Sequence, residues 1–300
     1  MIDIVIVNWN SGPFLNDCLQ SIEQYSDGLV ASVTVVDNAS TDGSFKSAEC
    51  RPRTKLIHAG QNLGFGKGCN VGANEGNSKY ILFLNPDARL LPDTLRTTHE
   101  FMEQDENSHV GISGVQLIDH NQNLTRSCSR FPSALGLVFR STGFEKIFPS
   151  LGIRMVDWNH IESREVDQVM GAYFFIRRSL FQSLLGFDER FFVYYEEVDL
   201  SKRANELGLK SFYLANAQAV HFGGGSSEHI KARRLFYSLR SRLNYCRKHF
   251  GPWSMALVLA STLIIEPGSR TLKAIINRNS REFWETVTAY RMLVFSLLNR

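Results

Sequence analysis

Three hundred residues, 43% of them hydrophobic and 21% charged, match the averages of soluble globular proteins and exclude a disordered chain, a collagen-like fibre and a polytopic membrane protein. The five cysteines (Cys18, Cys50, Cys69, Cys128, Cys246) are odd in number and lack C-x-x-C spacing, so neither a disulfide framework nor a zinc site is indicated and a reducing cytosol fits best. Net charge is only +3, yet residues 231–300 hold thirteen Lys and Arg against Glu266, Glu282 and Glu285, a segment of +10 joined to a body of −7 with twenty basic and twenty-seven acidic residues, and that asymmetry calls for a partner.

The N-terminus, Met1-Ile2-Asp3-Ile4-Val5-Ile6-Val7, has no basic leader and an acid inside its apolar run, so no signal peptide is expected. Short β-branched runs then alternate with helical patterns, which predicts βαβ units and a mostly parallel sheet. Strands are expected at Ile2–Val7, Val33–Asp37, Thr54–His58 and Tyr80–Leu84. Pro13 opens a helix to Tyr25, on which Leu15, Cys18, Leu19 and Ile22 fall at helical spacing. A second helix spans about Gly66–Glu75, Pro92 opens a third ending near Gln104, and Val110–Leu117 returns as a strand. From Asp119 to Glu165 periodicity is weak, and the stretch reads as a long surface excursion. Regular structure resumes at Val169–Ile176, followed by helices at Ser179–Leu185 and Glu197–Leu207 and a strand at Lys210–Ala215.

Beyond Gly225 the character changes. Leu235, Phe236, Leu239 and Leu243 form one helical face flanked by basic residues. Trp253–Ile265 is an apolar run of thirteen residues, short of the ~20 that span a bilayer as a helix. A last helix, about Arg281–Leu298, puts Phe283, Trp284, Val287, Tyr290, Val294 and Leu298 on one side. Two readings stay open: a helical cap packed on the core, or an interfacial anchor on anionic lipid.

In open parallel sheets ligands bind beyond the carboxyl ends of the strands, so the residues there carry the candidate chemistry. Val7-Asn8-Trp9-Asn10 follows strand one and Asp37-Asn38-Ala39-Ser40-Thr41-Asp42-Gly43-Ser44 ends strand two. Asp37 can accept hydrogen bonds from a nucleoside or can form a turn. Asn62-Leu63-Gly64-Phe65-Gly66-Lys67-Gly68-Cys69-Asn70-Val71-Gly72 follows strand three without a G-x-G-x-x-G or Walker pattern. After strand four, Asn85-Pro86-Asp87-Ala88 holds a carboxylate in a Pro-fixed turn, suited to a hard divalent cation or to capping. The densest cluster runs from Gly186-Phe187-Asp188-Glu189 to Tyr194-Tyr195-Glu196-Glu197-Val198-Asp199. Acids at a helix start suit the helix dipole, while carboxylates among aromatics and one another suit a general base. His221 precedes a glycine run, Gly223-Gly224-Gly225-Ser226-Ser227, which can move over a bound pyrophosphate.

These motifs, in this order over residues 1–230, resemble family-2 glycosyltransferases of the GT-A fold, in the rhamnosyltransferase and galactofuranosyltransferase-like subset. Arg240-Ser241-Arg242-Leu243-Asn244-Tyr245-Cys246-Arg247-Lys248-His249-Phe250-Gly251 also resembles the tail of bacterial O-antigen rhamnosyltransferases. The resemblance implies an α/β GT-A catalytic domain (1–230) with a C-terminal basic helical region (231–300). It implies an inverting sugar transfer from a nucleoside diphosphate donor, dTDP-L-rhamnose being the expected one, with a galactofuranosyl or other hexosyl donor as the alternative. Asp37 matches the nucleotide-binding Asp, with Val7, Asn8, Asn62, Gly64, Asn85 and Asp87 completing the donor site. Asp87 and His221, with Asn85, match contacts to Mg²⁺ or Mn²⁺. Glu197 matches the position of the base, and Glu196, Asp199 and Asp188 are the further candidate catalytic residues. Asn85 stands where many members have Asp, which removes a charge from the metal site. Glu197 stands where most have Asp, which extends the base by one methylene, and Glu196 or Asp199 remains an alternative base.

The implied acceptor is a polyprenyl-diphosphate-linked glycan, which explains a basic tail resting on an anionic membrane surface at the inner face of the cytoplasmic membrane; no nucleic-acid partner is expected. Two rivals differ in class. A sugar nucleotidyltransferase needs a glycine-rich, basic loop after strand one, where this chain has Asn8-Trp9-Asn10-Ser11. A non-catalytic nucleotide-sugar or lipid binder keeps Asp37 and the tail but has no use for Glu197.

Overall fold

The computed structural model describes residues 1–223 and 230–299. In chain order the elements are β1 (Ile2–Asn8), α1 (Phe14–Tyr25), β2 (Val30–Asp37), β3 (Thr54–His58), α2 (Phe65–Ala73), β4 (Tyr80–Leu84), β5 (Ala88–Leu90), α3 (Thr94–Glu103) and β6 (Val110–Ile118). They continue with β7 (Leu124–Thr125), β8 (Cys128–Ser129), α4 (Ala134–Thr142), β9 (Arg164–Val166), β10 (Gln168–Val169), β11 (Tyr173–Arg177), α5 (Arg178–Ser183), α6 (Glu196–Glu206) and β12 (Lys210–His221). The C-terminal helices are α7 (Lys231–His249), α8 (Pro252–Ala260), α9 (Glu266–Ile276) and α10 (Ser280–Leu298), with a π-helical turn at Ser261–Ile265 between α8 and α9.

Contacts divide the chain into two compact units. The first comprises Met1–Ser129, Asn159–Glu189 and Glu196–Ser226. Its central sheet follows the order β3-β2-β1-β4-β11-β6-β12-β5, with β7 on β6 and β9 on β12. The pairs β3/β2, β2/β1, β1/β4 and β6/β12 are parallel, and β11 and β5 enter antiparallel. All seven residues of β1 are buried, as its near-continuous β-branched run requires of a central strand covered on both faces. The predicted face of α1, Leu15, Cys18, Leu19 and Ile22, is buried in the same core.

The second unit comprises Arg130–Trp158, Arg190–Tyr195 and Ser227–Arg300. Here the structure departs from the expected excursion over Asp119–Glu165. Ser133 caps α4 by accepting from the Gly136 amide, and Gly143 closes it at φ 82°. The helix spans nine residues, too few to be stable by propensity alone. Its support is tertiary: Ser141 Oγ bonds to Ser261 Oγ, and Ser269 Oγ donates to the Ser141 carbonyl at 2.8 Å. In α7 the buried face is Leu239, Leu243, Tyr245 and Cys246, together with Ser241 and Arg242. α10 packs on α7 and α9, and its predicted apolar side is divided: Tyr290 is buried, whereas Trp284, Val287, Val294 and Leu298 are exposed. Among the described residues no helix is long and apolar enough to cross a membrane.

Candidate active site

The strand ends bring the first predicted residues together. Asn8 and Asp37 are register partners at the ends of β1 and β2. The Asn8 amide nitrogen donates to Asp37 Oδ1 at 2.8 Å, Ser44 Oγ at 2.9 Å and Ser40 Oγ at 3.1 Å. Asp37 Oδ2 accepts the Ser40 amide at 3.2 Å. The two loops are stapled again outside this buried network: Thr41 N donates to Asn10 Oδ1 at 2.7 Å and Gly12 N to Asp42 Oδ2 at 2.8 Å. Burial works to raise the Asp42 carboxyl, but hydrogen bonds from Ser44 and Gly12 outweigh it and hold the group below its ordinary value. Asp42 is a structural residue that single-position reasoning passed over, although it lies inside the motif that drew attention to Asp37.

The third strand contributes in the same way. Asn62 Oδ1 accepts the Gly64 amide at 2.9 Å, and the Gly64 carbonyl accepts from Asn38 Nδ2 at 2.9 Å, tying the loop before α2 to the end of β2. Val7 is buried behind this junction.

Asp87 and His221 meet through strand pairing. β12 does not stop at Ala215 as expected; after an irregularity between Leu214 and Gln218 it continues to His221, which pairs with Ala88 of β5. That register sets His221 Nε2 at 3.4 Å from Asp87 Oδ1, and the Phe222 amide donates to the Asp87 carbonyl at 3.1 Å. The turn from Asn85 is closed by the Ala88 amide on the Asn85 carbonyl, at 3.0 Å. A carboxylate oxygen and an imidazole nitrogen facing one another are donors that would suit a divalent cation. Among the described residues no third His, Cys, Asp or Glu joins them. The expected mobile run Gly224-Gly225-Ser226-Ser227 lies outside the described residues.

The carboxylate cluster separates into distinct environments. Glu196, Glu197 and Asp199 occupy the first turn of α6. Asp199 is fully buried and accepts from Arg203 Nε at 2.8 Å, while Arg203 also donates to the carbonyls of Leu184 and Gly186. Its charge is thus engaged in tying α6 to the chain after α5. Glu196 is buried beside Gly66, where an added Cβ would lie 3.4 Å from Glu196 Cβ and 3.2 Å from Phe187 Cβ. Glu197 is half-buried.

The loop carrying Asp188 is clamped by Asn70 of α2, whose amide donates to the Phe187 carbonyl and accepts the Phe187 amide, both at 2.9 Å. Gly186 has φ +73° and leaves only 2.5 Å between an added Cβ and Asn70 Oδ1, so no side chain fits there. Asn70 lies inside the motif after strand three, but its role is not legible there, because its partner is 117 residues away.

Residues 3–185 match the family described as "Glycosyl transferase family 2". The chain is 27% identical over 272 residues to the N-acetylglucosaminyl-diphospho-decaprenol L-rhamnosyltransferase of Mycobacterium tuberculosis (strain ATCC 25618 / H37Rv), covering 86% of this chain and 88% of that protein. It is 23% identical over 260 residues to Rhamnosyltransferase WbbL of Escherichia coli (strain K12), covering 82% and 92%. In structure it is similar to the mannosyltransferase PcManGT from Pyrobaculum calidifontis, solved with GDP-Man and Mn²⁺, at a TM-score of 0.60 and 14% identity over 98% of this chain and 87% of that one. This last likeness is one of fold, and with the mostly parallel sheet and its flanking helices it bears out the expected GT-A architecture.

Proposed function

The chain belongs to glycosyl transferase family 2, and from that premise we propose that it is an inverting enzyme carrying L-rhamnose from dTDP-L-rhamnose to a polyprenyl-diphosphate-linked glycan, in the synthesis of a cell-surface polysaccharide of the O-antigen or lipopolysaccharide kind. The mycobacterial relative supports the sugar and the acceptor, since its name specifies both, and the Escherichia coli relative supports the sugar. The single observation that carries the site is the approach of Asp87 to His221 at the carboxyl edge of the sheet.

In this reading residues 1–230 are the catalytic domain. The Asn8–Asp37 network, with Val7, Asn62 and Gly64 behind it, holds the nucleoside. Asp87 and His221, with Asn85, hold Mg²⁺ or Mn²⁺, which when bound offsets charge on the leaving diphosphate. Glu197 takes the proton of the acceptor hydroxyl as that oxygen bonds to the anomeric carbon and the bond from that carbon to the diphosphate oxygen breaks. Glu196 and Asp188 precede the base in the chain as further carboxylates of the site, and Asp199 serves as a positioning residue through Arg203. A lipid-linked acceptor puts the enzyme peripherally at the inner, anionic face of the cytoplasmic membrane, where residues 231–300 meet the lipid.

The test pairs a panel of nucleotide sugars with calorimetric donor binding. dTDP-L-rhamnose is expected to give metal-dependent turnover, and Asp87→Asn and His221→Ala are each expected to weaken metal-dependent donor binding by ~10–100-fold. A preferred galactofuranosyl donor overturns the choice of rhamnose. Unchanged metal dependence in both variants removes these residues from the site.

A further inference from the structure

α8, the π-helical turn and α9 run without a break from Pro252 to Ile276, and the polarity of this helix is inverted. Its buried positions are Val258, Ser261, Thr262, Glu266 and Ala274, so its central turns point polar groups inward. Glu266 accepts hydrogen bonds from the buried Arg242 and from Arg270, and Arg242 also donates to Thr262 Oγ1 at 3.0 Å. Its outer side carries Trp253, Leu257, Ile264, Leu272, Ile275 and Ile276, with Trp253 at 88%, Ile264 at 74% and Ile276 at 70% exposure. Ala260 and Gly268 fill the gaps in this stripe, so its exposed apolar positions recur every three or four residues, with the exposed Lys273 as the one charge beside them. A helix bordering water is polar on that side, and a contiguous apolar surface of this kind marks a site that something covers.

Charge decides what covers it. The three acids of residues 231–300 are all engaged: Glu266 with Arg242 and Arg270, Glu282 with Lys273 at 3.8 Å and Glu285 with Arg281 at 2.9 Å. A second copy docking on this face sets one +10 segment against another, whereas an anionic bilayer neutralises it. The basic helix α7 is in contrast largely covered: Arg242 is buried, and only Lys231, Arg233 and Arg247 among its cations are exposed.

We propose that the outer face of helix Pro252–Ile276 lies in the surface of an anionic lipid bilayer, embedded among the acyl chains by its apolar stripe and oriented by the surrounding cations. The dominant attraction is apolar insertion rather than the ionic adsorption that the charge count of the tail suggests. The exposed Trp284, Val294, Phe295 and Leu298 of α10, in the same unit, add surface of the same kind. This inference rests on the reading that the acceptor is borne by lipid.

Flotation of the full chain with vesicles of phosphatidylcholine, with and without phosphatidylglycerol, tests it. Binding is expected to be strengthened by phosphatidylglycerol and to persist in large part at high salt, and binding that salt abolishes overturns the dominance of apolar insertion. Ile264→Glu/Leu272→Glu is expected to lower vesicle partitioning by ~10-fold or more, and Ile264→Ala/Leu272→Ala to give a smaller loss. Both should leave turnover on a water-soluble, short-chain acceptor unchanged. Wild-type binding in the glutamate variant overturns the proposal. So does a protein that ignores vesicles but forms a dimer the same variant abolishes, since the face then belongs to a second copy. If vesicle binding behaves as expected and no lipid-linked acceptor is ever glycosylated, the membrane face stands and the proposed function fails.

Discussion

In the first unit the apolar runs of β1, β4 and β11 are sealed inside the sheet and the buried Asp3–Arg178 pair lies in the same unit, whereas in the second unit the Arg242–Glu266 pair is sealed inside and large apolar side chains stand outside. Of the large hydrophobic side chains exposed among the described residues, five belong to the first unit and eighteen to the second. A 3.6-residue apolar period therefore establishes that a helix has an apolar face without saying which solvent meets it. Leu15, Cys18 and Leu19 of α1 face the core; Trp253, Leu257 and Ile264 do not.

The sharpest division of labour between the units is expected at Glu197. Glu197→Gln removes the proposed proton acceptor while keeping shape, so transfer should fall by ~10²–10⁴-fold with donor affinity, thermal stability and vesicle binding unchanged. Steady-state kinetics beside calorimetry and a melting curve reads all of these. Asp199→Asn should behave differently, lowering stability through its link to Arg203. An active Glu197→Gln beside a dead but stable Glu196→Gln transfers the role of base to Glu196.

The next effect is confined to the second unit. Glu266→Leu leaves the Arg242 guanidinium buried without its counter-charge, which should cost about 3–5 kcal/mol in that unit. Arg242→Met/Glu266→Leu should recover most of the loss, because a well-packed apolar pair can replace a buried ion pair. Hydrogen exchange of the α7–α10 amides is the measurement. A loss spread equally over β1–β4 would show that the two units do not respond separately.

Sequence alone was most legible where structure is local. The strands β1–β4 and helices α1–α3 lie within a few residues of their expected bounds, because each repeats one burial pattern over a short window. The candidate site was legible as residue types but not as contacts. Nothing near His221 announces Asp87; the two meet because β12 outruns its apparent end and pairs antiparallel with the three-residue β5. Asn70, Asp42 and Arg203 stayed hidden for the same reason, since each works by a hydrogen bond to another loop. α4 was missed because its helix depends on Ser261 and Ser269, more than a hundred residues on.

The smallest expected effect separates the units by pH. Asp3 in the first unit and Glu266 in the second are each buried against an arginine, Arg178 at 2.8 Å and Arg242 respectively. Burial pushes both carboxyls up. Hydrogen bonds from Ser32 and Ser78 and the charge of Arg178 outweigh it for Asp3, as the charges of Arg242 and Arg270 do for Glu266, so both lie below their ordinary values of 3.8 and 4.5. A depressed carboxyl contributes stability that is complete above its unfolded value and is lost as pH falls through the folded one. The arginines stay charged throughout this range, so the carboxylates alone set the window. Glu266, with the higher unfolded value, starts to lose its contribution at a higher pH than Asp3. Acid titration followed by hydrogen exchange should therefore show α7–α10 loosening before β1 and α5, and Arg242→Met/Glu266→Leu should abolish the earlier step while leaving the later one in place. An unchanged earlier step in that double variant would assign the acid sensitivity of the second unit to groups other than Glu266.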